Sequence, residues 1–177
     1  MNDIAKLLDA ATFSAERHKN QRRKDADSSP YINHPLALAR LLAVEGHVTD
    51  IEVLMAAVLH DTIEDTETTE LELRTRFGEP VAGLVVEVTD DKSLPKQRRK
   101  DLQIKHAANA SHGAALVKIA DKICNLRDVA LNPPVGWPLE RRIEYFDWAK
   151  RVIDRLPSVN AELLQAFDVA YAARPST

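Results

Sequence analysis

Apolar residues in this chain recur three and four positions apart, and nowhere do they alternate over the length of a strand. That pattern confines the fold to packed helices. In DIAKLLDAATFSAERHK, Ile4, Leu7, Leu8, Ala11 and Ala15 fall at helical spacing. Pro35 suits the first turn of a helix over HPLALARLLAVEG, which Gly46 ends. Thr49 or Asp50 caps IEVLMAAVLHD, and Thr68 or Thr69 caps LELRTRF, closed by Gly78. Pro80 opens VAGLVVEVTDD, where Val85, Val86 and Val88 also favour a strand; a helix is the expectation. Pro95 opens KQRRKDLQIKHAA. Residues 113–130 form a long helix, PPVGWP a loop, and residues 138–155 and 158–173 two closing helices. The expectation is an all-α fold: a single domain, residues 1–177, of eight or nine helices.

A chain of 177 residues is long enough for one hydrophobic core and short for two. The formal net charge is −3, so no global field draws the protein to nucleic acid or membrane. Cys124 is the single cysteine, which excludes a disulfide framework within the chain and fits a reducing compartment. MNDIAKLLDA carries Asp3, Lys6 and Asp9 where a signal peptide needs an apolar run, and the run Val53–Leu59 is too short to span a bilayer. A cytoplasmic protein is expected.

Against this background LHDTIEDT, residues 59–66, is unusual. His60 shares the inward face of its helix with Val53, Ala56 and Ala57, and three carboxylates follow: Asp61, Glu64 and Asp65. For an isolated His-Asp pair, a helix-end histidine with a solvated acidic turn is the better account. A second piece changes this. In LVKIADKICNLRD, Asp121 lies between Val117 and Cys124 in an apolar stripe, with Asn125 one turn on. A carboxylate there must be paired or bound to a cation. Lys118, three residues back, is within reach of it, whereas Lys122 faces elsewhere. His34, in YINHP, completes the set. Two imidazoles and two carboxylates, His34, His60, Asp61 and Asp121, suit Mn²⁺, Fe²⁺ or Zn²⁺ better than Ca²⁺ or Mg²⁺. A water on such an ion can attack phosphorus, and Glu64 and Asp65 are placed to orient it or take its proton. The alternative for that pair is an acidic patch with Glu67 and Glu70 on a solvated turn.

The order H…HD…D resembles that of HD-domain metal-dependent phosphohydrolases, an all-α family. RRKDADSSPYINHP, AAVLHDTIEDT, EVTDDKSLPKQRRK and KIADKICNLRD are similar to the hydrolase domain of the RelA/SpoT family, in its stand-alone small alarmone hydrolases, over about residues 4–170. The resemblance implies hydrolysis of the 3′-pyrophosphate of (p)ppGpp to GDP or GTP and pyrophosphate, usually with Mn²⁺. It also implies that no synthetase or regulatory domain is present. By the same resemblance His34, His60, Asp61 and Asp121 match metal ligands, and Glu64 and Asp65 the pair that handles the attacking water. Arg23 and Lys24 match a pair along the nucleotide, and Asn125 an asparagine beside the ribose. Lys96, Arg141 and Tyr145 match positions that face the substrate phosphates. Asp25 and Asp128 stand where long bacterial members tend to have Ser and Thr.

RHKNQRRK carries five Lys/Arg, and residues 92–105 carry six. Without interleaved aromatics they do not read as an RNA site. Lys24 is the expected substrate contact; Arg17, Arg98 and Arg99 are expected on the surface. His18, His47, His106 and His112 read as surface or packing residues, and Trp137 and Trp148 as anchors. Two alternatives accompany the hydrolase reading. One is a 2′-phosphatase acting on NADPH, which presents a similar phosphorylated ribose. The other is a silent nucleotide-sensing HD module, disfavoured because no ligand and neither member of the Glu64–Asp65 pair is missing.

Overall fold

The computed structural model describes residues 2–176. Among them every regular element is helical, apart from one bridge pairing of Arg22 with Pro30. The order is α1 (Asp3–Arg17), α2 (Asn33–Val44), α3 (Ile51–Leu59), α4 (Thr62–Asp65), α5 (Glu70–Phe77), α6 (Glu79–Val88), α7 (Lys96–His106), a 3₁₀ turn (Ala107–Asn109), α8 (His112–Leu131), α9 (Leu139–Ile153) and α10 (Ala161–Ala172). Nine of the described helices have eight residues or more; α4 has 4.

The all-α expectation holds, with local differences. The valine-rich segment is helical because Val81, Ala82 and Val85 fall on one buried face of α6. The third helix stops at Leu59, two residues earlier than expected: the Thr62 hydroxyl donates to the Leu59 carbonyl at 2.7 Å, and the chain restarts as α4. The last helix begins at 161 rather than 158. Asn160 caps it by accepting from the Leu163 N–H at 2.8 Å, and its amide donates to the Gly46 carbonyl at 2.8 Å.

The third helix is the hub. Every residue from Val53 to Leu59 is buried, as expected of a helix apolar on all sides. It packs against α1, α2, α6 and α8, while α8 also touches α2, α6, α9 and α10. Leu59, Ile119, Ile123 and Leu126 are fully buried in this core, each contributing about 1.5–3 kcal/mol relative to exposure. Glycine at residue 113 lets the start of α8 approach without displacing side chains: a Cβ there would lie 2.7 Å from the tip of Leu84, which would have to shift, and 3.3 Å from Val53. The result brings three points together, the first turn of α2, the end of α3 and the middle of α8. Among the described residues no helix is long and apolar enough to cross a membrane.

Asp50 accepts from the N–H groups of Glu52 at 2.9 Å and Val53 at 3.4 Å, capping α3. Asp50→Ala should therefore lower stability by about 1 kcal/mol, which lowers the melting temperature by about 2–4 °C in a chain of this size. A thermal melt tests this; an unchanged midpoint would mean that packing alone sets the start of α3.

Candidate active site

His34 lies in the first turn of α2, His60 just past α3, and Asp121 at mid-length in α8. Each offers one ligand atom, and those atoms lie within 4.8 Å of one another. The histidines are buried. His60 Nδ1 is 2.9 Å from the Ala57 carbonyl. A carbonyl only accepts, so Nδ1 carries a proton, and Nε2 is the nitrogen turned inward. That Nε2 is buried and makes no hydrogen bond, although Asp61 Oδ2 is 2.8 Å away. His34 Nε2 is 3.2 Å from Asp121 Oδ1. Lone pairs and carboxylates facing one another need a proton or a cation between them. The donor set therefore fits a divalent metal of the nitrogen- and oxygen-binding kind.

Asp61 stands at the edge of this group. Its Oδ2 touches His60 and accepts from the Tyr31 hydroxyl. Burial opposes its ionisation, but His60 and His34 hold its carboxyl well below the usual range. For Asp121, burial is again outweighed, here by Lys122 and His34. Burial opposes charge on His60 too, yet Asp61 and Asp121 raise its pKa to about 9. In the alternative of a lysine pair for Asp121, the lysine is Lys122, not Lys118. Lys122 Nζ donates to Asp121 Oδ2 at 2.7 Å, and Asn125 donates to Oδ1 at 2.6 Å. The Lys122 backbone points away, but its flexible stem folds back across Trp148, with Nζ 4.7 Å from the ring centre.

Glu64 and Asp65 ride on α4 and line the same small cavity, of about 210 Å³. Glu64 accepts from the Asp90 N–H at 3.2 Å and lies 3.3 Å from an Arg99 nitrogen. Burial pushes its pKa up to about 7; the Asp90 N–H works the other way, and the Asp61, Asp90 and Asp65 carboxylates add to the rise. Arg99, expected on the surface, is thus turned into the site, because the register of α7 aims it at α4. Asp65 pairs with Lys92, and its carbonyl accepts from Gln21. The acidic-patch alternative divides: Glu67 is exposed and Glu70 pairs with Arg74 at 2.7 Å, away from the cavity.

Next to the cluster opens a cavity of about 620 Å³ whose walls include Arg23, Lys24, Tyr31, His34, Asn125, Trp137 and Tyr145. Arg23 is held by Asp128, lies 3.4 Å from Asn125 Oδ1, and sits 5.9 Å from the Tyr31 ring centre. Burial pushes the Tyr145 phenol up, and its ring packs between Trp137 and Trp148. Lys96 and Arg141 are not among the residues that line this cavity; they lie against its wall residue Trp137, at 5.9 and 4.2 Å from the ring centre. Burial and the charges of Arg141, Lys24 and Arg99 lower the Lys96 pKa, the mark of cations gathered without enough counter-charge. Asp25 accepts from the Ser29 backbone and hydroxyl, closing its own loop. Of the leftover histidines, His18 is buried against Tyr31, with ring centres 4.8 Å apart, and contacts Gln21 at 2.6 Å. Tyr31 and Gln21 were not expected in the site. Tyr31 had a signal, three residues before His34; Gln21 had none.

A family model described as an HD domain matches residues 10–143. The chain is 54% identical to guanosine-3′,5′-bis(diphosphate) 3′-pyrophosphohydrolase MESH1 of Xenopus tropicalis, covering 92% of this chain and 90% of that one. Identity to the protein of the same name in Homo sapiens is 50%, over 99% of this chain and 98% of that one. A solved structure described as a metazoan ortholog of SpoT that hydrolyzes ppGpp and plays a role in starvation responses is similar with a TM-score of 0.93, at 49% identity over 96% of each chain.

The raised pKa of Glu64 has a consequence for stability. Relative to an ordinary value of 4.5, the fold favours the protonated acid. That contribution is complete below about 4.5 and lost as the pH rises through about 7. Metal-free Glu64→Gln should therefore melt above metal-free wild type at pH 8, with the gap closing toward pH 5. Melts in EDTA check this, and a gap independent of pH would remove Glu64 as its source.

Proposed function

The chain belongs to the HD-domain family, in its stand-alone RelA/SpoT-type branch, and from that membership we propose that it is a guanosine-3′,5′-bis(diphosphate) 3′-pyrophosphohydrolase. The observation that carries the reading is the convergence of His34, His60 and Asp121, with the free Nε2 of His60 among them, beside Glu64 at the edge of a cation-lined cavity.

HD-domain hydrolases are metal-dependent, and a divalent ion, when bound, supplies Lewis acidity and a water of lowered pKa. His34, His60, Asp61 and Asp121 would hold it; the mixed imidazole–carboxylate set suits Mn²⁺, Fe²⁺ or Zn²⁺, and the family resemblance favours Mn²⁺ among them. Glu64, with a pKa near neutrality, is suited to take a proton from the attacking water, with Asp65 helping to orient it. An oxygen from water bonds to the phosphorus next to the ribose, the bond from phosphorus to the 3′ oxygen breaks, and that oxygen gains a proton. Arg23, Lys24 and Asn125 orient the nucleotide. Lys96, Arg141 and Tyr145 meet its phosphates, where fixed cations offset charge in the transition state. A cytoplasmic setting fits the free, buried Cys124.

Purified protein with Mn²⁺, given ppGpp and NADPH separately at matched concentrations, should yield GDP and pyrophosphate from ppGpp; the two rates rank the substrates. No product from ppGpp, with metal shown bound, would overturn the reading. EDTA should inactivate the protein, and Mn²⁺ should restore it better than Mg²⁺. Asp61→Ala should lose metal and activity together. Glu64→Ala should keep metal and lose about 10²-fold or more in turnover; normal turnover would show that another group takes the proton.

A further inference from the structure

Behind Glu64 lies another cavity, of about 360 Å³, formed between the end of α6, α7 and α8. It shares Asp90, Gln103 and Lys118 with the cavity of the histidines and carboxylates. That cavity in turn shares Arg23, Tyr31, His34, Asp65 and Asn125 with the nucleotide cavity. The three run in series, with the catalytic group in the middle.

Two cations at the far cavity have donors that no acceptor meets. Lys118 projects into the partition between the two smaller cavities, and its ammonium makes no hydrogen bond or ion pair with the described residues. Arg99 gives one nitrogen to Glu64, while its Nε is buried without an acceptor. The carboxylates of the same wall accept from neutral donors and stay charged, so the pull of Asp90 and Glu87 on Lys118 runs through space rather than through a hydrogen bond. Glu87 accepts from the Ser111 N–H and hydroxyl, both at 2.7 Å; Asp90 accepts from Gln103 at 2.6 Å; Asp91 accepts from the Ser93 N–H at 2.9 Å. Unpaired buried donors are costly, and more so when charged. A phosphate group supplies the acceptors that both side chains lack.

We propose that this far cavity receives the terminal phosphate of the 3′-pyrophosphate and then holds inorganic pyrophosphate as it leaves, with Lys118 and Arg99 as its anion-binding residues. This rests on the hydrolase reading above and extends it to a second anion site. Cleavage makes two separate products, the nucleotide and pyrophosphate. Cavities on opposite sides of the catalytic group give each product its own way out, so neither has to pass the other.

The test is a thermal-shift titration with inorganic pyrophosphate at fixed Mn²⁺, on wild type, Lys118→Gln and Lys118→Arg, alongside product inhibition of ppGpp hydrolysis. Lys118→Gln should weaken the apparent pyrophosphate affinity at least tenfold, and Lys118→Arg should recover most of it. Inhibition by pyrophosphate should weaken in step, and inhibition by GDP should stay unchanged. Pyrophosphate affinity unaltered by Lys118→Gln overturns the assignment. Wild type that cleaves no ppGpp, yet is stabilised by pyrophosphate through Lys118, supports the anion site while the hydrolase reading falls. Where the glutamine variant does not fold, Lys118→Met keeps the stem, removes the charge and is read in the same way.

Discussion

A half-buried carboxylate in the middle of α8 requires counter-charge, and much of the site follows from meeting that requirement at Asp121. Lys122 folds back to one oxygen, Asn125 donates to the other, and His34 approaches from the start of α2. Because Lys122 also lies over Trp148, the requirement extends to α9. Leaving such a charge uncompensated would cost several kcal/mol. The helices that touch at this point therefore carry the polar groups, and the rest of the core remains apolar.

The site sorts its charges by depth. Carboxylates and imidazoles occupy the floor, where burial and mutual pairing shift their titration most. Apart from Lys122, which meets Asp121 at the floor, cations stand around Trp137 and Tyr145, against aromatic faces. Arg23 spans the two levels, bound to Asp128 and lying over Tyr31. An anionic ligand with its reacting phosphorus at the floor and further phosphates above matches that gradient.

Most of the fold was readable because a helix pattern is local: the 3.6-residue period, the Asp50 and Thr69 caps and the Gly78 stop each act within a few residues. The centre of the site was readable for the same reason, since His60 and Asp61 are adjacent and Asp121 and Asn125 one turn apart. Spacing gives the direction of a Cα–Cβ bond, not the reach of a long side chain. Lys122 was therefore read as facing away, although its stem returns to Asp121. Arg99 and Gln21 were missed for another reason: their places depend on how α7 and the end of α1 dock, which no local pattern encodes. Asn160 moved the start of α10 by bonding to Gly46, 114 positions away.

The one-turn helix α4 carries both Glu64 and Asp65, yet a single turn has almost no helical stability of its own. It is kept in place from outside, by Gln21 on the Asp65 carbonyl, by the Asp90 N–H and Arg99 on Glu64, and by Lys92 on Asp65. None of these partners belongs to the α2–α3–α8 unit that supports the metal-type cluster. Apart from the Thr62 hydroxyl on the Leu59 carbonyl, the pair proposed to handle the proton is thus positioned from outside the frame that carries the cluster. Exchanges in the α1–α2 loop or around residue 90 would therefore move these two carboxylates while leaving the packing of α2, α3 and α8 in place.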